Sequence, residues 1–228
     1  MLSIIIPVLN PDDRFTEALE AVDRELSSIA TEIIVVSAGM SDVARAACAK
    51  VNAQIIDAAP GRGQQLAIGA NAAKAPFLLF LHGDTILQPG CGSLATVFMM
   101  DPLNEDRAGW FGLSFDVNSK GAQRVARMAN WRARKVGLPY GDQGLLISHF
   151  LYEAVGGFEN LSLMEDVNLV RRIGKGRLVG LDGLVETSAS RYEKGGYWLR
   201  PARNLLCLFL YYCHVPNNVI RKIYGGGS

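Results

Sequence analysis

The side chain in this sequence most suited to chemistry is Asp84, a carboxylate that follows five apolar residues at positions 77–81. Such a run predicts a strand buried on both faces of a mostly parallel sheet. Ligands of these sheets bind beyond the carboxyl ends of the strands, and Mg²⁺ and Mn²⁺ prefer oxygen ligands. Asp84 is therefore a candidate metal ligand, with His82 as a second ligand or a hydrogen-bonding partner. A helix cap or a turn carboxylate is the alternative interpretation.

A second acidic feature is the adjacent pair Glu165 and Asp166, which opens a predicted helix. The helix dipole favours acids at a helix N-terminus, so an ordinary helix start would explain the pair without any catalysis. Residues 156–161, however, have the composition of a loop that brings the helix start to a site. A carboxylate there could accept a proton from an attacking hydroxyl.

Positive charge and glycine occur together at residues 60–65, where Gly61 and Gly63 flank Arg62 before a predicted helix. Glycine lets the backbone approach an anion, and both the helix N-terminus and Arg62 favour negative charge. The segment is neither a Gly-x-Gly-x-x-Gly fingerprint nor a Walker loop, which excludes the dinucleotide and P-loop interpretations. A phosphate-binding turn and a plain turn both stay open.

A glycine-rich turn at residues 141–144 presents Asp142 and Gln143, and Arg191 follows further along the chain. Asp142 and Gln143 fit an ordinary surface turn as well as a binding loop. Arg191 is typical of a surface residue unless a phosphate lies nearby.

Composition narrows the classes of protein. The net charge of +1 offers no bulk electrostatic attraction to nucleic acid. The scattered cysteines lack Cys-x-x-Cys spacing and predict reduced core thiols rather than zinc or disulfide chemistry. The absence of a secretory signal and of a stretch near 20 apolar residues favours a cytoplasmic location. Residues 226–228 have the composition of a linker remnant.

Strand and helix patterns alternate along the first hundred residues, which predicts right-handed crossovers and a parallel sheet. The strands expected there are 3–8, 32–36, 54–56 and 77–81, and the helices are 13–30, 42–50 and 63–73. The second half is less regular, with strands expected at 109–115, 145–147, 177–181 and 185–188 and helices at 123–136, 164–173 and 197–213. We expect one domain over 1–225, with functional halves 1–100 and 101–225.

The last predicted helix contains an apolar segment, residues 205–213, with basic residues on both sides. A helix that is apolar on every side is usually buried, so we expect core packing or a contact within a homo-oligomer. The alternative is a peripheral contact with an anionic bilayer, which would suit a lipid-linked acceptor.

Several short motifs, in this order and spacing, resemble the family 2 glycosyltransferases, which have the GT-A fold. They are SIIIPVLN at 3–10, EIIVV at 32–36, FLHGDT at 80–85 and the Glu165–Asp166 pair. The finer pattern is similar to the bacterial and cyanobacterial subgroup of arsenosugar-biosynthesis-type glycosyltransferases. It consists of GRGQQL at 61–66, LHGDT at 81–85, PYGDQG at 139–144, LMED at 163–166 and TSASRYE at 187–193.

The resemblance implies a Rossmann-like, mostly parallel sheet flanked by helices, with a less regular acceptor-binding second half and a C-terminal helix. It implies an inverting transfer of sugar from a nucleotide-diphosphate sugar, most often a UDP-sugar, to an acceptor hydroxyl. Mn²⁺ or Mg²⁺ would assist the reaction.

The resemblance also implies roles for individual residues on the donor side. Pro7, Val8 and Asn10 would line the nucleotide pocket, with Arg62 and Gly63 near the nucleotide. Asp84 stands where the family has the last aspartate of its Asp-x-Asp metal motif.

On the acceptor side, Asp166 stands at the position of the family's catalytic base, with Glu165 beside it. Asp142 and Gln143 would lie near the sugar or the acceptor.

The chain departs from the family pattern at two positions. Ser37 replaces an aspartate that contacts the nucleobase, and His82 replaces the first aspartate of the metal motif. These departures keep a non-catalytic nucleotide-sugar-binding protein open as an alternative. A sugar-nucleotide pyrophosphorylase is less favoured, because its glycine-rich N-terminal loop is replaced here by residues 7–10.

Overall fold

The computed structural model describes residues 1–225, which form a layered α/β structure around one sheet. Its strands are β1 (Leu2–Leu9), β2 (Thr31–Ala38), β3 (Gln54–Asp57), β4 (Phe77–Phe80), β5 (Ile86–Leu87), β6 (Ala108–Phe115), β7 (Leu145–Ser148) and β8 (Leu178–Thr187). Its helices are α1 (Asp13–Leu26), α2 (Asp42–Lys50), α3 (Arg62–Ala72), α4 (Cys91–Met100), α5 (Lys120–Val136), α6 (His149–Ala154), α7 (Glu165–Ile173), α8 (Ser190–Gly195), α9 (Leu199–Tyr212) and α10 (Asn217–Tyr224).

The sheet has eight strands in the order β3-β2-β1-β4-β7-β6-β8-β5. Strand β1 pairs in parallel with β2 and β4, and β2 pairs in parallel with β3. Strand β7 runs antiparallel between β4 and β6, while β6 and β8 are parallel. Strands from both sequence halves therefore share one sheet, and the turns after β1 and β4 end at the same edge.

The two faces of the sheet are covered by different helices, because the β1 and β2 side chains are apolar on both faces. Helix α1 buries Phe15, Leu19 and Val22 against one face. Helix α3 packs Leu66 and Ala70 against the other face. Full burial of a side chain such as Phe15 stabilises the folded state by about 1.5–3 kcal/mol. These buried side chains therefore hold α1 and α3, whose ends reach the site, against the sheet.

Most predicted elements agree with the structure to within a few residues. The predicted strands 177–181 and 185–188 form the single strand β8, which has a register irregularity opposite Phe111 and Gly112. Helices α4, α6, α8 and α10 were not predicted. Helix α4 was not predicted because its apolar residues lack helical periodicity. Helices α6 and α8 were not predicted because they have only six residues each.

The expectation of core packing for residues 205–213 is wrong for one side of α9, while the contact within a homo-oligomer stays a prediction. Cys207 is fully buried, but Leu205 is 53% exposed and Phe209 is 63% exposed. The cause is that α9 lies at the surface and contributes only Cys207 to the fully buried core. Within residues 1–225, no helix is long and apolar enough to cross a membrane.

Candidate active site

Two cavities meet at the sheet edge where β1 and β4 end. The smaller has a volume of about 450 Å³ and the larger about 620 Å³. Both cavities are lined by Arg62, His82, Asp84, Ser188 and Arg191. The predicted metal ligands and two predicted phosphate-binding arginines therefore stand on the boundary between two compartments.

Asp84 is held in the turn after β4 by contacts from distant segments. The Thr187 hydroxyl donates a hydrogen bond to Asp84 Oδ2 at 3.3 Å, and Arg14 Nε donates to the Asp84 carbonyl oxygen at 3.1 Å. Arg14 is itself fixed by ion pairs to Asp116 at 3.1 Å and to Glu186 at 3.2 Å. The carboxylate thus faces both cavities from a braced turn.

His82 lies on the same boundary, packed against the turn at Gly141. A Cβ atom added to Gly141 would fall 2.4 Å from His82 Nε2, so the two segments approach as closely as glycine allows. Burial lowers the pKa of His82 well below 6.5, and the positive charges of Arg62 and Arg191 lower it further. The imidazole is therefore neutral at pH 7 and able to accept a hydrogen bond or to ligate a metal ion.

The smaller cavity is lined by Pro7, Val8 and Asn10 from the end of β1. Gln65 Nε2 on α3 donates a hydrogen bond to the Val8 carbonyl oxygen at 3.1 Å. Asn10 has a φ of 47°, a left-handed conformation that asparagine tolerates better than most residues. The chain therefore leaves β1 in a tight, braced turn that lines the same cavity as Arg62.

Glu165 lies behind this boundary and lines neither of the two cavities. It is only 2% exposed, and its Oε1 atom lies 3.4 Å from Nη1 of Arg62. Burial raises the pKa of Glu165, while the charge of Arg62 opposes the rise. The pair joins the start of α7 to the start of α3, so Glu165 is placed to orient Arg62.

Asp166, the next residue, lines the larger cavity. Its Oδ2 atom accepts a hydrogen bond from the Gly141 N–H at 2.8 Å, and its Oδ1 atom accepts one from the Val167 N–H at 2.7 Å. Met164, just before α7, has a φ of 63°, which is rare and strained for a methionine. These features fix the direction in which the Asp166 carboxylate points.

Asp142 contributes a third carboxylate to the larger cavity, beside those of Asp84 and Asp166. Its Oδ1 atom is buried and has no hydrogen-bond partner among residues 1–225. Burial raises the pKa of Asp142 to about 6; the positive charge of Arg132 opposes the rise, and the negative charge of Asp166 adds to it. A buried acceptor without a protein partner is costly, so this oxygen is available to a donor group in the cavity.

Gln143 supports the turn from behind instead of lining a cavity. Its Oε1 atom accepts hydrogen bonds from the Tyr140 N–H and from Arg132, and its Nε2 atom donates to the Phe111 carbonyl oxygen. The Arg132 guanidinium also stacks 3.3 Å from the centre of the Tyr140 ring. This network ties the turn that carries Asp142 to strand β6 and helix α5.

The structure thus separates the predicted site residues into two groups. Those that line a cavity are Pro7, Val8, Asn10, Arg62, His82, Asp84, Asp142, Asp166 and Arg191. Four others line neither cavity: Ser37, Gly63, Gln143 and Glu165. Ser37 is fully buried and donates its hydroxyl to the Gly39 carbonyl oxygen at 3.1 Å. Gly63 lets α3 approach the loop carbonyls of Glu159 and Leu161, where an added Cβ would fall 2.7 Å and 3.0 Å away.

Arg14 and Arg132 were missed by sequence reasoning. Arg14 is 70 positions from the Asp84 carbonyl oxygen that it contacts, so no local motif marks the pair. Arg132 occurs in a helix with many other basic residues, which hides it. One signal could have identified Arg14: it is a basic side chain in the first turn of a helix, where the helix dipole favours acids.

The boundary between the cavities fits a divalent cation that is shared with a substrate. No cluster of three or more His, Cys, Asp or Glu side chains able to hold a metal occurs in the part of the chain that the structure describes. Mg²⁺-type sites commonly use one or two carboxylates together with substrate phosphates. Asp84, with neutral His82 beside it, matches this partial ligand set.

Comparison with known proteins gives a family match. The sequence model of glycosyl transferase family 2 matches residues 3–134, more than half of the chain. This region includes β1, β4, Arg62 and Asp84. No curated protein matches the chain at a significant level.

Solved structures give the fold. The chain is similar to TarS from S. aureus, with a TM-score of 0.64 and 15% identity over 97% of this chain. It is also similar to the mannosyltransferase PcManGT from Pyrobaculum calidifontis in complex with GDP-Man and Mn²⁺, with a TM-score of 0.59 and 13% identity over 89% of this chain. A third similar structure is glucosyl-3-phosphoglycerate synthase from Mycobacterium tuberculosis with Mn²⁺, UDP-Glc and phosphoglyceric acid, with a TM-score of 0.59 and 17% identity over 95% of this chain.

The matched region covers only part of each of these proteins. The matches span 42% of TarS, 59% of PcManGT and 80% of the synthase. At such low identity the likeness shows the shared GT-A fold, a curled and mostly parallel sheet flanked by helices.

Proposed function

Because the chain belongs to glycosyl transferase family 2, we propose that it moves a sugar from a nucleotide-diphosphate sugar to an acceptor hydroxyl, with inversion at the anomeric carbon. The observation that carries this proposal is the meeting of two cavities at Asp84, His82, Arg62 and Arg191. A donor bound in the smaller cavity would place its diphosphate on this boundary. Its sugar would then face the larger cavity, where the acceptor enters.

Arg62 and Arg191 would bind the diphosphate oxygens, since guanidinium groups match phosphate geometry. Asp84 and His82 would hold Mn²⁺ or Mg²⁺ together with those oxygens. When bound, the cation would neutralise charge that develops on the leaving diphosphate. The proteins of similar fold in complexes with GDP-Man or UDP-Glc and Mn²⁺ support this donor class.

Asp166 is the proposed general base. Two backbone N–H groups orient its carboxylate toward the larger cavity, where it would take the proton of the acceptor hydroxyl as the sugar–phosphate bond breaks. The transition state would be oxocarbenium-like, as in glycoside hydrolysis. Glu165 is the proposed positioning residue for Arg62, and Asp142 the proposed hydrogen-bond acceptor for a sugar or acceptor hydroxyl.

A UDP-sugar is the proposed donor, although Ser37 changes how the base is recognised. The Ser37 hydroxyl is already engaged by Gly39 and lies outside both cavities. Base discrimination therefore falls to the β1 end, Pro7 to Asn10. The similarity to the arsenosugar-biosynthesis-type subgroup is part of this proposal but assigns no acceptor.

The test is to incubate the protein with UDP-glucose, GDP-mannose and dTDP-glucose, each with Mn²⁺ or with EDTA, and to measure the nucleoside diphosphate released when water takes the sugar in place of the acceptor. We expect release from one donor with Mn²⁺ and little release with EDTA. The variant Asp84→Ala should lose this release, while Gly176→Ala, at a position with no atoms within 4 Å of an added Cβ, should keep it.

The same assay separates the alternatives. Binding of a donor without release of any nucleotide from it would indicate a non-catalytic nucleotide-sugar-binding protein. Consumption of added pyrophosphate, with formation of a nucleoside triphosphate and a sugar 1-phosphate from the donor, would indicate a pyrophosphorylase. Either result would overturn the proposed transfer.

A further inference from the structure

Charge is strongly segregated in this molecule. Helices α5, α9 and α10 carry ten of the 23 basic residues and none of the 22 acidic residues. The rest of the chain is therefore net negative, and the overall charge of +1 conceals the division. Among residues 1–225, none of these ten side chains forms an ion pair with an acid. Six of them are exposed and available to a partner, at positions 120, 127, 134, 135, 221 and 222.

The same helices expose large apolar side chains. Trp131 on α5 is 61% exposed and Phe209 on α9 is 63% exposed, and Leu205 and Leu206 are about half exposed. Positions 205, 209 and 212 fall on one side of α9, opposite buried Cys207. Clustered exposed apolar groups mark interaction surfaces more often than chance.

These side chains surround the mouth of the larger cavity. Met128, Trp131 and Val136 of α5 and Leu205 and Leu208 of α9 line it, and its inner wall holds Asp84, Asp142 and Asp166. The cavity is therefore apolar toward the two helices and acidic toward the boundary. A surface that covers both helices would lie directly at the entrance to the proposed acceptor site.

We propose that the face formed by α5, α9 and α10 docks on the surface of an anionic phospholipid bilayer. Basic residues would meet lipid headgroups, while Phe209, Leu206 and Trp131 would enter the boundary between headgroups and acyl chains. Nucleic acid shares the charge requirement but offers no apolar layer for these side chains. The docking deepens the proposed function, since it would bring acceptors in the membrane to the cavity, but it does not depend on transfer.

The experiment is flotation of the full-length protein with two kinds of vesicle, pure phosphatidylcholine and phosphatidylcholine with a third of phosphatidylglycerol. We expect flotation with the anionic vesicles only, with a large decrease in 0.5 M NaCl because salt screens the contact. Leu206→Ser combined with Phe209→Ser should lower the partition coefficient roughly tenfold. Arg134→Gln combined with Lys222→Gln should lower it by a similar factor, about tenfold.

Matched controls use equally exposed positions elsewhere. Val97→Ser with Met100→Ser on α4 removes a similar exposed apolar area, and Lys50→Gln with Lys74→Gln removes the same charge. Both controls should float like the original protein. The four tested positions lie outside both cavities, so Mn²⁺-dependent release of nucleotide in solution should not change in any variant.

Four outcomes would overturn the docking proposal. They are no flotation with anionic vesicles, equal flotation of the α9 variant and the original protein, tighter binding to duplex DNA or RNA than to vesicles, or a stable dimer abolished by the α9 variant. Failure of the proposed function would instead appear as absent nucleotide release with flotation intact. The two failures are thus distinguishable.

Discussion

Two of the three carboxylates that line the larger cavity, Asp142 and Asp166, differ in their hydrogen bonds. Asp166 accepts two backbone hydrogen bonds, whereas the Oδ1 atom of Asp142 has no partner among residues 1–225. The two hydrogen bonds suit Asp166 to a role that needs a fixed direction, and the free Oδ1 atom suits Asp142 to accept a hydrogen bond from a ligand hydroxyl. The difference assigns them separate roles that substitution can test.

Asp166→Asn should reduce the rate of transfer by about 10²–10⁴, because it removes proton acceptance, and the amide can keep only one of the two backbone N–H bonds. Donor affinity should stay within about twofold, since the amide keeps the shape of the side chain. Initial rates and calorimetric titration with the donor measure the two quantities. Full turnover by this variant would contradict the assignment.

Asp142 makes stability depend on pH in a predictable direction. Burial raises its native pKa to about 6 from an ordinary 3.8, so the folded state holds the proton more tightly than the unfolded state. The acid therefore costs little stability below pH 4 and progressively more as the pH rises to 6. Asp142→Asn should then stabilise the protein at pH 7 more than at pH 4.5, by about 2 kcal/mol or less.

Urea unfolding of the two proteins at both pH values measures this difference. An equal change at pH 7 and at pH 4.5 would show that ionisation of Asp142 does not destabilise the fold. Bound donor and acceptor should reduce this difference in stability, because a ligand hydroxyl that donates to Asp142 would offset the cost of its buried charge.

The site is assembled by element ends rather than by one continuous motif. The starts of α3 and α7 meet through Arg62 and Glu165, and the turn before β7 is joined to α7 through Gly141 and Asp166. Each contact links elements that are adjacent only in the folded sheet. Loss of one contact should therefore disturb an element on the other side of the site.

Arg62→Ala should destabilise the fold by about 1–2 kcal/mol, because it leaves Glu165 buried without its positive partner. The partial exposure of Arg62 limits the effect. Arg62→Ala combined with Glu165→Gln should recover most of the stability and none of the donor affinity. Thermal unfolding and donor titration of the single and double variants complete the cycle, and equal stability of both variants would contradict the coupling.

Gly141→Ala should displace the turn from His82, since the added methyl group would fall 2.4 Å from Nε2. Overpacking of this kind costs about 1–3 kcal/mol and should lower transfer together with stability. Gly176→Ala is the matched control, because its added methyl group meets no atom within 4 Å. Unchanged melting temperature and rate for Gly141→Ala would show that the turn is adaptable.

At the scale of the whole molecule, a donor that spans the boundary between the cavities should stabilise the native state. At a donor concentration of 100 times Kd the gain is about 2.7 kcal/mol. For a chain of this size that corresponds to a rise in Tm of roughly 2–4 °C for each kcal/mol.

Thermal unfolding with a UDP-sugar should therefore show a rise in Tm that is larger with Mn²⁺ than with EDTA. Asp84→Ala should lose the Mn²⁺-dependent part and keep the remainder, because Pro7, Val8 and Asn10 would still contact the nucleotide. If the original protein shows the same rise in Tm with Mn²⁺ and with EDTA, the proposal that a cation takes part in donor binding is contradicted.

Local patterns in the sequence determined much of this protein. Apolar runs and helix signals predicted β1 to β4 and the helices between them, because strands buried on both faces need continuous apolar residues. The turn at Asp84 and the helix start at Asp166 followed from the same patterns. Motif order then supplied the family resemblance, which the match over residues 3–134 confirmed.

Only the tertiary structure decided which polar residues face a cavity and which support them. Gln143 and Glu165 belong to the same motifs as Asp142 and Asp166, and Ser37 directly follows the EIIVV motif, but packing buries all three side chains. The contact of Arg62 with Glu165 joins positions 103 apart, and no local rule encodes a pairing at that distance. The exposed face of α9 could not be predicted for the same reason: an apolar helix is buried or exposed according to what the remaining chain packs against it.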